Sequence, residues 1–464
     1  MRINAPTLAL QSAQSFTDHL EQRPFKVYTA RDLDQISALS RLSPAQRFEM
    51  KVVASVLPFR VNQYVIDELI DWDNVPDDPI FQLSFPQRGM LEPGHFEQIA
   101  DLIRGKADKR VLDGAIDAVR GELNPHPADQ MEMNMPRDAH GNRIDGMQHK
   151  YRETVLFFPS QGQTCHSYCT FCFRWAQFVG DKTLRIASAE ADTLHAYLAS
   201  HSEVSDLLIT GGDPMVMKTR HLAAYLEPML RPEFDHVQTL RIGTKALTFW
   251  PHRFLGADDA DDLVRLLERL VEAGKHVGIM AHYNHWKELD TDTARAAISR
   301  IRATGAVIRA QGPLLAHIND DPAVWARLWK EQVRLGIVPY YMFAERDTGA
   351  RGYFEVPLVR AWSVYRDAIQ QVSGLARTAR GPSMSASPGK VEIQGVTEIN
   401  GEKVFVLRFI QARNPDWVQR PFFARYDPAA TWLDHLKPAF GEKTWFWEDE
   451  YRALRDQKLA QTPD

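Results

Sequence analysis

The sequence predicts an α/β protein built on an open, six-stranded partial (β/α)6 barrel of the TIM-like kind. From Thr154 to Phe343, short apolar runs alternate with amphipathic helical stretches, which is typical of a parallel sheet or barrel. Six such βα units are too few to close an eight-stranded barrel. We therefore expect a helical N-terminal region at residues 1–150, the partial barrel at residues 151–350, and a smaller C-terminal region at residues 351–464.

The region before the barrel is expected to be mainly helical. Ser43–Val56 alternates charged and apolar residues at helical spacing, and Asp71–Asn74 is typical of a turn. A stretch rich in proline, methionine and aspartate, Asn124–Gly146, then leads into the barrel. The C-terminal region is rich in tryptophan and phenylalanine and contains one strand-like run, Lys403–Ile410. We expect it to cover the open barrel mouth and regard it as a site for a subunit contact.

Six barrel strands are predicted from short apolar runs, at Val155–Phe158, Asp206–Thr210, Thr239–Gly243, His276–Tyr283, Val307–Gln311 and Ile337–Phe343. The helix between the third and fourth strands illustrates the pattern. Asp261 is predicted to cap this helix and Gly274 to end it. One apolar stripe is formed by Leu263, Leu266, Leu267 and Leu270.

Composition is that of an ordinary globular enzyme. Of the 464 residues, 44% are hydrophobic and 25% are charged, with a formal net charge of −5. No apolar run approaches the ~18 residues that a membrane helix needs. No long basic block indicates binding to nucleic acid or to an acidic membrane surface. Since the chain also shows no secretory signal, we expect a cytoplasmic protein.

All three cysteines fall within eight residues, as Cys165, Cys169 and Cys172 in a CxxxCxxC run. Three thiolates with this spacing can bind three irons of a [4Fe–4S] cluster and leave the fourth iron open to a small molecule. A disulfide framework is not supported, because three thiols cannot all pair. Structural zinc usually needs four ligands, and His166, directly beside Cys165, is poorly placed to be the fourth.

Several motifs occur in the order of a known family. They are Cys165-x3-Cys169-x2-Cys172-Phe-Arg174, Thr210-Gly211-Gly212-Asp213, Arg241-Ile242-Gly243, His282-Tyr283-Asn284-His285 and Pro339-Tyr340-Tyr341. With the cysteines placed after the first barrel strand, the chain resembles the radical S-adenosylmethionine superfamily. More closely, it resembles the lysine 2,3-aminomutase family, from about residue 77 to about residue 390.

The resemblance implies an activity, three cofactors and two partners. In that family a 5′-deoxyadenosyl radical and pyridoxal 5′-phosphate move the α-amino group of a free amino acid to the β-carbon. The implied cofactors are the [4Fe–4S] cluster, S-adenosylmethionine and pyridoxal phosphate. The implied partners are a small-molecule amino acid and an electron donor such as a flavodoxin or ferredoxin, and a homo-oligomer is compatible with this function.

The loops at the strand ends are expected to contact S-adenosylmethionine. Gly211 and Gly212 carry no side chain that could obstruct a cofactor. Asp213 can accept a hydrogen bond from the amino group of S-adenosylmethionine. From the residues alone, a tight βα turn capped by Asp213 is the alternative. The resemblance further implies that some of His282, Asn284 and His285, at the end of the fourth strand, contact the nucleoside, and that Gln311 has a similar role. On their own, such residues are more often satisfied polar groups than ligands, and Tyr283 is expected to pack in the core.

Two basic residues are matched with the substrate and with pyridoxal phosphate. Arg174 corresponds to the arginine that holds the substrate α-carboxylate, for which a guanidinium fork is suited. A solvent-facing salt bridge is the alternative. Lys390, in the run Ser385–Lys390, corresponds to the lysine that carries pyridoxal phosphate as an imine. On its own, Ser-Pro-Gly-Lys is also ordinary turn chemistry.

The chain departs from the family pattern around the coenzyme and the substrate side chain. Lys150 and Arg152 are the candidates for the coenzyme phosphate, and Thr154 stands where a second arginine is expected. Arg346 stands where an aspartate would read a distal amine, with Asp347 adjacent. The loop before Lys390 carries serines and no nearby acid, and no cysteines remain for the lysine enzyme's zinc site.

The substrate is therefore open between a lysine-like and a glutamate-like amino acid, and a cationic Arg346 suits the acidic one better. Two other functions stay open as well. One is a radical S-adenosylmethionine enzyme without pyridoxal phosphate, acting as a dehydrogenase, epimerase or lyase. The other is a non-catalytic iron–sulfur sensor, which would have no need of the Gly-Gly-Asp and Arg174 elements.

Overall fold

Strands that are neighbours in the chain are also neighbours in the main sheet. The computed structural model describes residues 24–124, 133–138, 141–179 and 186–460. The strands of these residues are β1 (Val27–Thr29), β2 (Arg60–Asn62), β3 (Met147–Tyr151), β4 (Thr154–Phe157), β5 (Asp206–Ile209), β6 (Thr239–Thr244), β7 (His276–His282), β8 (Val307–Pro313), β9 (Val338–Phe343), β10 (Arg380–Ser385), β11 (Gly389–Ile399), β12 (Glu402–Ala412) and β13 (Pro421–Arg425). β1 and β2 pair separately, and β3 to β13 form one open eleven-stranded sheet in chain order.

Helices connect the parallel strands and fill the N-terminal region. They are α1 (Pro44–Val56), α2 (Pro79–Ser84), α3 (Pro93–Arg104), α4 (Lys109–Leu123), α5 (Trp175–Phe178), α6 (Ala191–Ala199), α7 (Thr219–Leu226), α8 (Ala246–Phe249), α9 (Ala260–Glu272), α10 (Asp292–Ala303), α11 (Pro322–Arg334), α12 (Arg351–Phe354), α13 (Leu358–Gln370) and α14 (Glu448–Ala460). Within the described ranges, none of them has both the length and the apolar character of a membrane span.

The centre of the sheet is parallel, as the sequence predicts. β4 to β9 pair in parallel with one another, and each overlaps one of the six predicted strands. β10 adds a seventh parallel strand beside β9, and antiparallel strands extend the sheet at both ends. The α/β class is thus confirmed, and in the described part of the chain the sheet does not close into a barrel.

The stretch before Lys390 differs from its predicted form. Ser385–Lys390 was expected to be a loop, but Arg380–Ser385 is strand β10 and Lys390 lies in β11. Ser385 pairs directly with Lys390 across a short turn. The lysine is therefore held by the hydrogen bonds of a sheet, which fixes its position more firmly than a loop would.

α9 shows which local predictions hold. Its leucine stripe, predicted at four positions, is fully buried. Gly274 adopts a φ of +88° directly after the helix, as an ending glycine should. The predicted cap at Asp261 is wrong, because the helix begins at Ala260 and Asp259 holds the N-cap position. Asp261 lies inside the first turn and forms an ion pair with Arg300.

Three hydrophobic cores hold the regions of the molecule together. One lies between the parallel strands and their helices. A second joins the N-terminal helices to Phe171 and Trp175, which belong to the segment that carries the cysteines. The third belongs to the C-terminal strands and contains Trp432, Leu436 and Trp447. The strand-like run Lys403–Ile410 lies within β12, as predicted.

Some predictions fall partly outside the described residues. Residues 1–23 of the expected helical region and part of Asn124–Gly146 are among these. In the described part, Ser43 caps α1 by accepting from the backbone of Gln46 at 3.2 Å, which confirms the helix predicted at Ser43–Val56.

Candidate active site

The cysteine loop, residues 159–174, follows β4 and is held by the N-terminal region. The amide of Tyr168 donates to the carbonyl of Arg60 at 2.8 Å. The backbone N–H of buried Asn62 donates to the hydroxyl of Ser167 at 3.0 Å. Asn62 and Ser167 are 105 positions apart, so no local sequence pattern could reveal this support. The N-terminal region thus forms one wall of the cysteine site.

Gly211 and Gly212 follow β5 and lie directly against the cysteine loop. A Cβ atom on Gly212 would come within 2.5 Å of the carbonyl oxygen of Thr164, and one on Gly211 within 2.6 Å of Nε2 of Gln163. The amide of Asp213 donates to the Thr164 carbonyl at 2.7 Å. The glycines therefore let two loops of the protein close onto each other, and their contact with S-adenosylmethionine stays a prediction.

Asp213 is buried and its carboxylate is used within the protein. It accepts hydrogen bonds from the Thr244 hydroxyl at 2.7 Å and from the backbone amides of Met215 and Lys245 at 2.9 Å each. Burial raises the pKa of Asp213, while these hydrogen bonds act in the opposite direction. The cap that was the alternative for this residue is thus present, and a contact with a cofactor amino group stays a prediction.

The three thiols are half-buried and influence one another. Burial, followed by the nearby carboxylate of Asp213 and the other two cysteines, raises the pKa of Cys165 well above its usual value. Burial also raises the pKa of Cys172 to about 11 and that of Cys169 further. Among the described residues, no three or more His, Cys, Asp and Glu side chains form a group that could hold a metal ion. A [4Fe–4S] cluster differs from a single ion because each thiolate binds a different iron, and the donor set suits it.

The end of β7 lies beside the cysteine loop. The His282 ring stacks on Phe171 with centroids 5.6 Å apart, and burial together with the charge of Lys245 lowers its pKa well below the usual value. Asn284 is buried and accepts from Nζ of Lys245 at 3.0 Å, while its Nδ2 has no hydrogen-bond partner. An unsatisfied buried donor at this position fits a polar ligand.

The two neighbours of Asn284 have structural roles. Tyr283 packs in the core, as expected. His285 accepts from the amide of Lys287 at 3.2 Å and begins a short helical turn. Burial lowers the pKa of His285 to about 3, so the ring is neutral.

A cavity of about 610 Å³ brings together residues that the sequence predicts separately. Its wall includes five predicted site residues: Lys150, Arg174, Gln311, Arg346 and Lys390. They come from β3, the cysteine loop, β8, the segment after β9, and β11. Two other predicted residues, Arg152 and Asp347, do not line this cavity.

Apart from Gln311, the residues predicted for the cluster and for S-adenosylmethionine form a second group. The cysteines, Gly211–Asp213, His282 and Asn284 are not part of the cavity wall. Phe173 and Arg174 join the two groups, because they belong to the cysteine loop and also line the cavity. The arrangement places Arg174 where a molecule in the cavity approaches the cysteines.

Lys390 reaches the cavity from β11. Its Nζ lies 4.2 Å from the centre of the Tyr341 ring and 3.3 Å from Oε1 of Gln411. Burial, followed by the charges of Arg380 and Arg241, lowers the pKa of Lys390 to about 7. A lysine amine is nucleophilic only when it is neutral, so this site favours the reactive form.

Arg174 and Arg346 present unpaired donors. Nη1 of Arg174 and both Nε and Nη2 of Arg346 are buried without a hydrogen-bond partner. Both guanidinium groups stack beside Phe173, at 5.3 Å and 5.1 Å from the ring centre. Burial lowers the pKa of Arg174 to about 10, which still leaves it charged at neutral pH. Buried unpaired guanidinium donors are costly and favour an anionic ligand.

The two candidates for the coenzyme phosphate are placed differently. Lys150 lines the cavity, and its Nζ donates to the carbonyl of Ala386 in the turn between β10 and β11. Arg152 is exposed, and its carbonyl accepts from Nε2 of His149 at 3.0 Å. Only Lys150 therefore faces the space that also contains Lys390.

Sequence reasoning assigned no role to several polar residues inside the sheet. Arg241 forms a side-on ion pair with Asp206, in which Nε donates to Oδ1 at 2.7 Å and Nη2 to Oδ2. Arg309 lines the cavity with its guanidinium 5.4 Å from the centre of the Tyr340 ring. The available signal was a charged residue at an alternating position of an otherwise apolar strand, which indicates an inward-facing polar group.

Comparisons with known proteins identify relatives of this chain. No protein-family model matches the chain. A putative L-lysine 2,3-aminomutase of Aquifex aeolicus is 30% identical over 397 residues, which cover 85% of this chain and 92% of that protein. The L-lysine 2,3-aminomutase of Bacillus subtilis is 26% identical, with 82% of this chain and 71% of that protein covered. That of Escherichia coli is 25% identical, with 56% and 71% covered. The chain therefore belongs to the L-lysine 2,3-aminomutase family and is an enzyme of this kind.

Proposed function

We propose that the chain is a radical S-adenosylmethionine aminomutase that moves the α-amino group of a free amino acid to its β-carbon. The single observation that carries the proposal is the shared cavity of Lys390 and Arg174. One offers an amine whose pKa is lowered to about 7, and the other offers an unpaired guanidinium donor. A coenzyme aldehyde and a substrate carboxylate are the ligands that these two groups suit.

The cysteines and the strand ends beside them are assigned to the radical chemistry. Cys165, Cys169 and Cys172 would hold the [4Fe–4S] cluster. Contacts to S-adenosylmethionine are assigned to Gly211, Gly212, Asp213, His282, Asn284 and Gln311. When bound, the cluster and S-adenosylmethionine supply a radical that removes hydrogen from an unactivated C–H bond, and pyridoxal phosphate supplies a ring over which an unpaired electron spreads.

The residues of the cavity bind and orient the other reactants. Lys390 would attach pyridoxal phosphate through its neutral Nζ, with Lys150 and Arg152 assigned to the coenzyme phosphate. Arg174 would hold the substrate α-carboxylate next to the cysteine loop, so that the β-carbon faces the radical. Arg346 and Asp347 are assigned to the substrate side chain. Phe173 and Tyr341 supply apolar walls that limit access of water to a reactive intermediate.

The finer architecture and cellular setting belong to the same proposal. The parallel strands would form a partial TIM-like barrel, with domain boundaries near residues 150 and 350. A flavodoxin or ferredoxin in the cytoplasm would deliver the electron that starts each cycle, and a homo-oligomer is compatible with this function. No role in binding nucleic acid or membranes is proposed.

Anaerobic turnover tests the proposal directly. The purified chain is reconstituted with iron and sulfide, reduced, and incubated with both cofactors and a panel of amino acids. Mass spectrometry should detect 5′-deoxyadenosine and a β-amino isomer of one amino acid. Absence of both products across lysine, glutamate and arginine would overturn the proposal.

Lys390→Ala separates this function from its alternatives. The variant should lose the absorbance of bound coenzyme and the isomer together, while still cleaving S-adenosylmethionine. A radical enzyme without pyridoxal phosphate would be unaffected in coenzyme absorbance, because the wild type would have none. An iron–sulfur sensor would form no 5′-deoxyadenosine in either protein.

A further inference from the structure

The charged groups that line the cavity indicate which substrate side chain it can bind. We propose that the substrate is an α-amino acid with an acidic side chain, whose distal carboxylate is bound side-on by Arg346. This inference rests on the proposed aminomutase function and names its substrate class. The guanidinium group of Arg346 has one edge whose two donors have no hydrogen-bond partner.

The two unpaired donors of Arg346, Nε and Nη2, lie on the same edge of its planar guanidinium. Their N–H bonds are parallel, which matches the two oxygens of a carboxylate. The same edge of Arg241 is occupied by Asp206 in this protein, with Nε donating to Oδ1 at 2.7 Å. Arg346 thus presents the geometry of a carboxylate site whose carboxylate the described chain does not provide.

Nearby acidic residues do not fill this edge. Asp347 and Glu345 flank Arg346 in sequence, and neither lines the cavity. The Oδ1 atom of Asp347 is itself buried without a hydrogen-bond partner, so the adjacent residues are not paired with each other through it. Among the described residues, no ion pair of Arg346 with a carboxylate is found. Arg346 itself lines the cavity, so its buried donors lie beside the space that an anion would occupy.

Two arginines on the same cavity wall suit a molecule with two carboxylates. Arg174 and Arg346 both lie beside Phe173, and Arg174 is the closer of the two to the cysteines in sequence. If Arg174 holds the α-carboxylate, Arg346 is left for a second anionic group on the same molecule. A neutral side chain would leave buried guanidinium donors unsatisfied, which binding would have to offset.

The charges of the cavity wall disfavour a lysine-like side chain. Besides the two arginines, Lys150, Arg309 and Lys390 also line it. Of the two acids in the wall, Asp206 is already neutralised by its arginine partner. The other, Glu153, precedes β4 at the amino ends of the parallel strands, whereas Arg346 follows β9 at their carboxyl ends. Within the cavity wall itself, a distal ammonium group near Arg346 would therefore meet mainly positive charge.

The chemistry of the amino shift limits which acidic amino acids can be productive substrates. In the shift, the C–N bond at Cα breaks, one at Cβ forms, and one hydrogen moves from Cβ to Cα. Substrate and product have the same formula, so no external oxidant is consumed. Aspartate carries a carboxylate on both carbons, and its shift would regenerate aspartate. A productive substrate is therefore glutamate or a longer homologue.

Binding of glutamate and glutamine to the cofactor-loaded enzyme provides the test, because the two differ in charge but hardly in shape. Isothermal titration calorimetry should give a Kd for glutamate that is on the order of 10- to 100-fold lower than for glutamine, as expected for a charge-assisted hydrogen-bonded pair. Arg346→Gln should abolish this difference while leaving the affinity for glutamine within about twofold. Arg334→Gln, at an exposed position, serves as the matched control and should keep the preference.

The possible outcomes distinguish a wrong substrate class from a wrong aminomutase function. Equal wild-type affinities for glutamate and glutamine would overturn the acidic substrate without any variant. Equal weakening of all α-amino acids by Arg346→Gln would assign Arg346 to the α-carboxylate and also overturn it. Formation of a β-amino isomer from lysine but not from glutamate would refute only the substrate class. Failure of every amino acid to give an isomer would refute the aminomutase function itself.

Discussion

The Nζ atom of Lys390 lies over the ring of Tyr341, 4.2 Å from its centre, although the two residues belong to different strands of the sheet. β10 lies between β9, which carries Tyr341, and β11, which carries Lys390. An aromatic face stabilises a cation only weakly compared with water or a carboxylate. The ring therefore does not offset the burial of the amine, and the lysine pKa falls to about 7.

This contact predicts a dependence of stability on pH. The pKa of Lys390 is about 7 in the folded chain and 10.5 ordinarily, so the unfolded state binds more protons between these values. Stability therefore rises with pH across that window, and the lysine is most unfavourable below pH 7. Lys390→Met should be more stable than wild type at pH 7, and the difference should shrink toward pH 10. Urea unfolding of the cofactor-free protein at both pH values measures it.

A lysine outside the cavity is the control for this experiment. Lys109→Met, at an exposed position of α4, should give the same difference from wild type at both pH values. If Lys390→Met behaves like Lys109→Met, the amine keeps an ordinary pKa in the folded protein. The assignment of a neutral nucleophile to Lys390 would then be wrong.

The close contact of the loops predicts that Gly212→Ala is destabilising. Its Cβ would lie 2.5 Å from the backbone oxygen of Thr164, which cannot move without displacing the cysteine loop. Overpacking of this kind costs about 1–3 kcal/mol in the free energy of unfolding. Gly374→Ala is the matched control, because no atom lies within 4 Å of the corresponding Cβ position.

The loop displacement should also appear in the metal content. Gly212→Ala should retain less iron per chain after anaerobic reconstitution than wild type, whereas Gly374→Ala should match wild type. Full iron content together with unchanged stability would show that the two loops do not depend on each other.

The order of the strands could be predicted from sequence because their apolar runs are short and separated by helical patterns. β10 could not, since Arg380–Ser385 contains a glycine, a proline and two serines, which are common in turns. Its strand form comes from pairing with β9 and β11 on either side. Tertiary pairing overrides local preference here.

The candidate site was predictable where a residue is both chemically distinctive and next to a motif. Arg174 and Lys390 meet this condition, and both line the cavity. Arg309 does not, because a single arginine inside a short apolar run resembles part of a core strand. Asn62 was also missed, since its contact with the cysteine loop joins distant parts of the chain.

Arg309 is predicted to contribute to coenzyme binding. It lines the same cavity as Lys390 and stacks on Tyr340, as does Arg380 at 4.6 Å from the ring centre. Two guanidinium groups on one ring repel each other unless an anion lies nearby. Arg309→Gln should weaken binding of pyridoxal phosphate roughly tenfold, measured by absorbance titration. Arg334→Gln should leave it unchanged, and equal affinities of wild type and Arg309→Gln would exclude this role.

The buried ion pair of Lys245 and Glu288 predicts a strong effect on stability at the cysteine site. Nζ of Lys245 lies 2.6 Å from Oε1 of Glu288, whose side chain is fully buried. Lys245→Met leaves that carboxylate without its cation and should cost about 3–5 kcal/mol in the free energy of unfolding. Lys109→Met removes an exposed ion pair with Asp113 and should cost less than about 1 kcal/mol. Urea unfolding compares the two, and equal losses would show that the Lys245 pair is accessible to water. Since Lys245 also binds Asn284 at 3.0 Å, its loss should release the strand end assigned to S-adenosylmethionine and weaken binding of that cofactor as well.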